Sequence, residues 1–82
     1  MFKVAALYKF SKIDNPLEVQ IFLRKILKKL SIYGTILVGS EGINGTIAAK
    51  NEKHLNKALM HLKNLKGFND LDIKFSDSKK NP

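Results

Sequence analysis

The spacing of apolar residues changes period along this chain, and the order of those changes leaves few folds open. Over Phe2–Phe10 the period is two: Phe2, Val4, Ala6, Tyr8 and Phe10 share one face, and Lys3, Ala5, Leu7 and Lys9 share the other. That is a strand with one well-buried face, and the Phe/Val/Tyr side is expected to meet the rest of the core. Over Leu17–Leu30 the period lengthens to that of a helix, with Val19, Phe22, Leu23, Ile26, Leu27 and Leu30 inward and Arg24, Lys25, Lys28 and Lys29 outward. Asp14 or Asn15 can cap this helix, and Pro16 suits its first turn. Gly34 ends the block, and Thr35–Val38 reads as a short strand. A third strand, Gly45–Ala49, precedes a helix over Glu52–Lys66, capped by Asn51 and closed by Gly67, with Leu55, Ala58, Leu59, Leu62 and Leu65 as its buried stripe. Leu71, Ile73 and Phe75 alternate with Asp72 and Lys74 as a last strand.

The order is β-α-β-β-α-β. It predicts an α+β domain of the ferredoxin-like kind, a four-stranded antiparallel sheet with both helices on one face. The domain is expected over residues 1–76. Residues 77–82, polar and rich in lysine, read as the start of a linker. A chain of 82 residues makes one domain. At this size roughly 60–70% of the unfolded surface is buried, enough for a core but not for a deep enclosed active site as well.

Between the short apolar segments Thr35–Val38 and Thr46–Ala49 lies the run Gly39-Ser40-Glu41-Gly42-Ile43-Asn44-Gly45-Thr46. Glycine serves where the backbone takes positive φ, or where another backbone comes too close for a Cβ. A hairpin whose turn and bulge use the glycines is one reading. A loop whose Glu41 and Asn44 touch something outside the domain is the other.

Composition removes several chemistries. There is no cysteine, so disulfides, thiolate metal sites and cysteine nucleophiles are excluded within these residues. The histidines, His54 and His61, belong to no group with metal-ligand spacing, so no metal site and no cofactor are expected in the chain. No nucleophile–base–orienter set is present, and Glu41 could act as a general base only if desolvated or paired. The chain by itself reads as non-catalytic. No apolar run approaches the ~20 residues of a membrane span, and the N-terminus lacks the basic-then-apolar order of a signal peptide. No membrane association and a cytoplasmic location are the resulting expectations.

The formal charge of +8, from 15 Lys and Arg against 7 Asp and Glu, draws in phosphate polyanions. Arg24, Lys25, Lys28 and Lys29 form the most concentrated group and are the candidate phosphate-binding residues; a solvated helix face is the plainer account of them. Base stacking in the manner of an RNA-recognition motif is not expected, because Gly45–Ala49 contains no aromatic. Acylphosphatase chemistry is not expected either, since Ser11–Pro16 has neither the glycines nor the arginine of a phosphate-cradling loop.

The segments Ala5-Ala6-Leu7-Tyr8-Lys9-Phe10, Gly34-Thr35-Ile36-Leu37-Val38, Glu41-Gly42-Ile43-Asn44-Gly45-Thr46-Ile47-Ala48 and Lys74-Phe75-Ser76-Asp77 follow one another in this order. Together they resemble the N-terminal, acylphosphatase-like domain of the rhodanese-domain proteins that hydroxylate tRNA uridine. The similarity runs from about Val4 to Asp77 and covers only the first part of such a protein. It implies an accessory domain of an oxygen-dependent 5-hydroxylase of the tRNA wobble uridine. The implied partners are tRNA and a C-terminal rhodanese-like domain that holds the reactive cysteine, and the co-substrate is molecular oxygen. The resemblance carries over Glu41, Gly42, Ile43, Asn44, Gly45 and Thr46 as a signature loop, in contact with tRNA or with the neighbouring domain. It carries over no catalytic residue. The alternative is a non-catalytic protein-interaction module, with the open face of the sheet, around Lys3, Leu7 and Lys9, as its contact.

Overall fold

The structure, a computed structural model, describes residues 1–80. Its elements are β1 (Phe2–Phe10), α1 (Pro16–Lys29), β2 (Tyr33–Gly39), β3 (Gly42–Ala49), α2 (Glu52–Lys63) and β4 (Asp72–Ser78). The strands form one antiparallel sheet in the order β2-β3-β1-β4. This is the expected βαββαβ architecture.

The core lies between one sheet face and both helices. Ala5, Leu7, Ile43, Ile47 and Ala49 from the sheet pack with Leu23 of α1 and with Leu55, Ala58, Leu59 and Leu62 of α2. Each large aliphatic side chain so buried contributes about 1.5–3 kcal/mol against exposure. The helices are seated unequally. α2 buries four side chains, whereas α1 buries only Leu23.

This arrangement reverses one expectation. The face of β1 that meets the helices carries Ala5 and Leu7, at 0% and 2% exposure, while Tyr8 and Phe10 stand on the open face. Period-two alternation separates two faces without saying which is inward. The pairing decides it: Ala5 stands opposite Ile47, and Leu7 opposite Gly45, so the odd residues of both strands share one side. Lys3 and Lys9 sit at the ends of that inward row and escape sideways to Asp77 and Asp70. Leu7 is therefore core, not part of an open strip.

Other boundaries shift locally. Asn51 caps α2 as expected, its side chain accepting from the Lys53 and His54 backbone N–H groups at 2.8 and 3.4 Å. Asn15 occupies the N-cap position of α1 without a side-chain capping bond, and Pro16 removes one N–H that would need a partner. α2 ends at Lys63 with Asn64 as its C-cap, so Gly67 belongs to the following turn instead of closing the helix. That turn delivers Phe68, 1% exposed, into the core. Phe22, in the helical stripe of α1, and Phe75, in the alternation of β4, read as inward in sequence but are 45% and 61% exposed. β4 takes in Ser76, Asp77 and Ser78, opposite Val4, Lys3 and Phe2, which places the start of the expected linker inside the sheet. Residues 81 and 82 of that stretch lie outside the described residues.

Candidate functional site

Two surfaces collect the residues singled out in the sequence. The first is the outer side of α1. Arg24, Lys25, Lys28 and Lys29 are all exposed. The pairs Arg24/Lys28 and Lys25/Lys29 are each four residues apart and form adjacent stripes. Arg24 and Lys28 border a cleft of about 390 Å³ between α1 and β2, with Leu27, Tyr33 and Thr35 on its other walls. The incomplete seating of α1 leaves this cleft open. Among the described residues, the ion pairs are Lys3–Asp77 at 3.0 Å, Lys9–Asp70 at 2.9 Å and Lys12–Asp14 at 3.8 Å, and none of them engages α1. Across both helices there are seven cations against two acids, Glu18 and Glu52. The helical side of the domain is thus cationic and uncompensated, with one guanidinium able to fork onto phosphate oxygens.

The second surface is the β2–β3 hairpin. Its turn consists of Ser40 and Glu41 alone, and Asn44, Gly45 and Thr46 belong to β3. What reads as a loop from Glu41 to Thr46 is therefore mostly strand. Two glycines are there for close backbone approach. A Cβ on Gly42, which sits at φ +149°, would collide with the Lys9 carbonyl oxygen, and one on Gly45 with the Thr35 carbonyl oxygen. Gly39 is different, since no atom lies within 4 Å of where its Cβ would stand. The turn is fixed from behind: the Ser11 and Ile13 N–H groups donate to the carbonyl oxygens of Glu41 and Ser40, both at 3.0 Å. Ile43 is buried in the core. Glu41, Asn44 and Thr46 face out, and the side chains of Glu41 and Asn44 make no hydrogen bond among the described residues. The hairpin backbone thus presents a carboxylate and a carboxamide at the surface without using either.

Sequence reasoning missed what surrounds Asn44. Pairing aligns Leu37, Asn44, Tyr8 and Asp72 in one row across the open face, with Gly39, Gly42 and Phe10 in the next. Tyr8 and Phe10 stack edge-on with ring centroids 4.9 Å apart, and Phe2 meets Tyr33 in the same way at 5.6 Å. Signals in β3 could have revealed this face. Ile43, Ile47 and Ala49 alternate with Asn44 and Thr46, and carrying that parity across the ladder to β1 puts Tyr8 and Phe10 outside.

Two titratable groups near the ends of β1 and β4 are perturbed by ion pairs. Hydrogen bonding to Lys9 holds the Asp70 carboxyl below its ordinary range, and hydrogen bonding to Asp77 raises the Lys3 ammonium. His61 packs edge-on against Phe22 at 6.3 Å between the helices. Among the described residues, no group of three His, Cys, Asp or Glu side chains could hold a metal ion.

A comparison with known families finds the UPF0176 acylphosphatase like domain matching residues 2–82. The chain belongs to this family. Curated relatives include the tRNA uridine(34) hydroxylase of Roseobacter denitrificans, 36% identical over 80 residues, which cover 98% of this chain and 27% of that protein. Those of Acinetobacter baumannii and Caulobacter vibrioides are 38% and 36% identical, over 96% and 99% of this chain and 24% and 25% of theirs. The chain spans about a quarter of the length of these relatives and corresponds to their N-terminal part. No helix among the described residues is long and apolar enough to cross a membrane.

Proposed function

We propose that this domain is the accessory N-terminal part of an oxygen-dependent tRNA wobble-uridine 5-hydroxylase, and that it holds tRNA through the outer side of α1. The observation that carries the reading is the uncompensated cation group Arg24, Lys25, Lys28 and Lys29, in a family whose longer relatives are named for a tRNA substrate. Phosphate contacts of this kind position a nucleic acid without reading its sequence. They suit an accessory role, in which a domain delivers the anticodon arm and another part of the protein performs the hydroxylation. In this reading molecular oxygen is the co-substrate, the reactive cysteine belongs to a following rhodanese-like domain, and the enzyme works in the cytoplasm, where its tRNA is.

The test is deletion of the gene followed by mass spectrometry of nucleosides from purified tRNA. Loss of 5-hydroxyuridine-derived wobble nucleosides, restored by the full-length gene, is the expected result. Unchanged wobble nucleosides reject the reading.

A further inference from the structure

The open face of the sheet differs in chemistry from the helical side. Tyr8, Phe10, Tyr33 and Leu37 are 45%, 67%, 41% and 64% exposed there. Its charges are balanced: Lys50, which lies over the Phe2 ring at 5.8 Å, and Lys74 offset Asp72 and the turn residue Glu41. A notch of about 340 Å³ opens at the hairpin end, walled by Phe10 and Leu37, floored by Gly39 and Gly42, and edged by Glu41 and Asn44. Gly42 is required by the ladder, but Gly39 is not, and a side chain at position 39 would fill the notch without straining the backbone. Exposed aromatics around an unbonded carboxamide, without excess cations, match the core of a protein interface and not a phosphate-binding surface.

We propose that this face is the seat of the polypeptide C-terminal to the domain in the full-length protein, with an apolar side chain of that segment in the Phe10–Leu37 notch, its backbone hydrogen-bonded to Asn44, and a cationic group beside Glu41. The proposal deepens the proposed function and takes from it only that the domain is part of a longer chain. Two observations select this occupant. The relatives carry about three-quarters of their length beyond the matched part. The chain also leaves the sheet at Ser78, opposite Phe2, so the next segment starts at the border of the open face, at the end of β1 away from the notch, and reaches Phe10 by running along that face.

Phe10 and Phe75 give the experiment an internal standard: they are 67% and 61% exposed in the domain but stand on opposite faces of the sheet. Hydroxyl-radical footprinting of the full-length gene product, without tRNA, is expected to label Phe10 at least about five-fold more slowly than Phe75. Leu37→Lys is expected to bring the two rates together, with Phe68 still protected as the sign that the fold survives. Equal rates in the wild-type protein overturn the proposal. So does shielding of Phe10 that arises only when tRNA is added, which would assign the face to RNA, or only at high protein concentration, which would assign it to a second copy. A gene product of 82 residues overturns it as well. A protein that shields Phe10 but leaves wobble uridines unmodified rejects the proposed function and keeps the docking. One that modifies tRNA with Phe10 fully labelled does the reverse.

Discussion

The helical side and the open sheet face belong to one domain and divide their chemistry sharply. On the helices, seven cations face two acids, and no ion pair among the described residues engages α1. On the sheet, charges balance, and the large exposed apolar side chains are Tyr8, Phe10, Tyr33 and Leu37, beside an unbonded Asn44. Uncompensated charge attracts a polyanion from a distance and loses strength with salt, whereas aromatic area works only in close contact after desolvation. A domain carrying both on opposite sides is suited to bridge a nucleic acid and a protein. The net charge of +8 does not say where the cations lie, and the structure concentrates them on the helices while the charges of the open face balance.

The contrast fails first if exposed aromatics prove to hold the fold together. Phe68→Ala, at a buried site, is expected to cost about 3–5 kcal/mol, whereas Phe10→Ala costs under about 1 kcal/mol, both read from urea unfolding. Equal losses would make the open face part of the core. A smaller difference bears on the hairpin. Gly45→Ala drives a Cβ against the Thr35 carbonyl oxygen and is expected to cost about 2–3 kcal/mol, while Gly39→Ala stays within about 0.5 kcal/mol. Smaller again is the RNA effect. The double charge reversal Arg24→Glu with Lys28→Glu is expected to weaken tRNA binding roughly tenfold and to flatten its salt dependence, while Lys74→Glu on the open face changes little.

The smallest effect concerns pH. The folded pKa of Asp70 is depressed by its bond to Lys9, so that pair supports the fold above the ordinary carboxylate value of 3.8 and is lost as pH falls through the lower folded value. Lys3 is raised, so its pair with Asp77 supports the fold below 10.5 and fades as pH climbs through the higher folded value. Asp70→Asn should lower stability slightly at neutral pH and converge with the wild type as pH falls through the depressed folded value, which flattens the acid end of the curve. Equal stability of the two proteins at neutral pH would show that the pair with Lys9 contributes nothing.

The fold was legible because period changes survive without tertiary information. The helical stripe Leu55, Ala58, Leu59 and Leu62 and the Asn51 cap need nothing beyond local spacing. The inward face of β1 was not legible locally, since the row Lys3, Ala5, Leu7 and Lys9 looks more polar than the row Phe2, Val4, Ala6, Tyr8 and Phe10, and only the ladder to Ile43 and Ile47 reveals the direction. Phe68 escaped because it sits in a turn, outside any periodic run. Phe75 misled because β4 is an edge strand whose end α2 does not cover. At the candidate site, the cations of α1 were legible from helical spacing. The glycine-rich run was half legible: its residues stood out, but only coordinates separate Gly42 and Gly45, which the sheet requires, from Gly39, which it does not.

The most direct test of this division of roles is the level of 5-hydroxyuridine-derived wobble nucleosides in cells that lack the gene and are complemented with variants. Wild-type protein is predicted to restore them. The Arg24→Glu, Lys28→Glu variant is predicted to restore only a small fraction while accumulating to the same level. Full restoration by that variant would contradict the assignment of the α1 surface to tRNA.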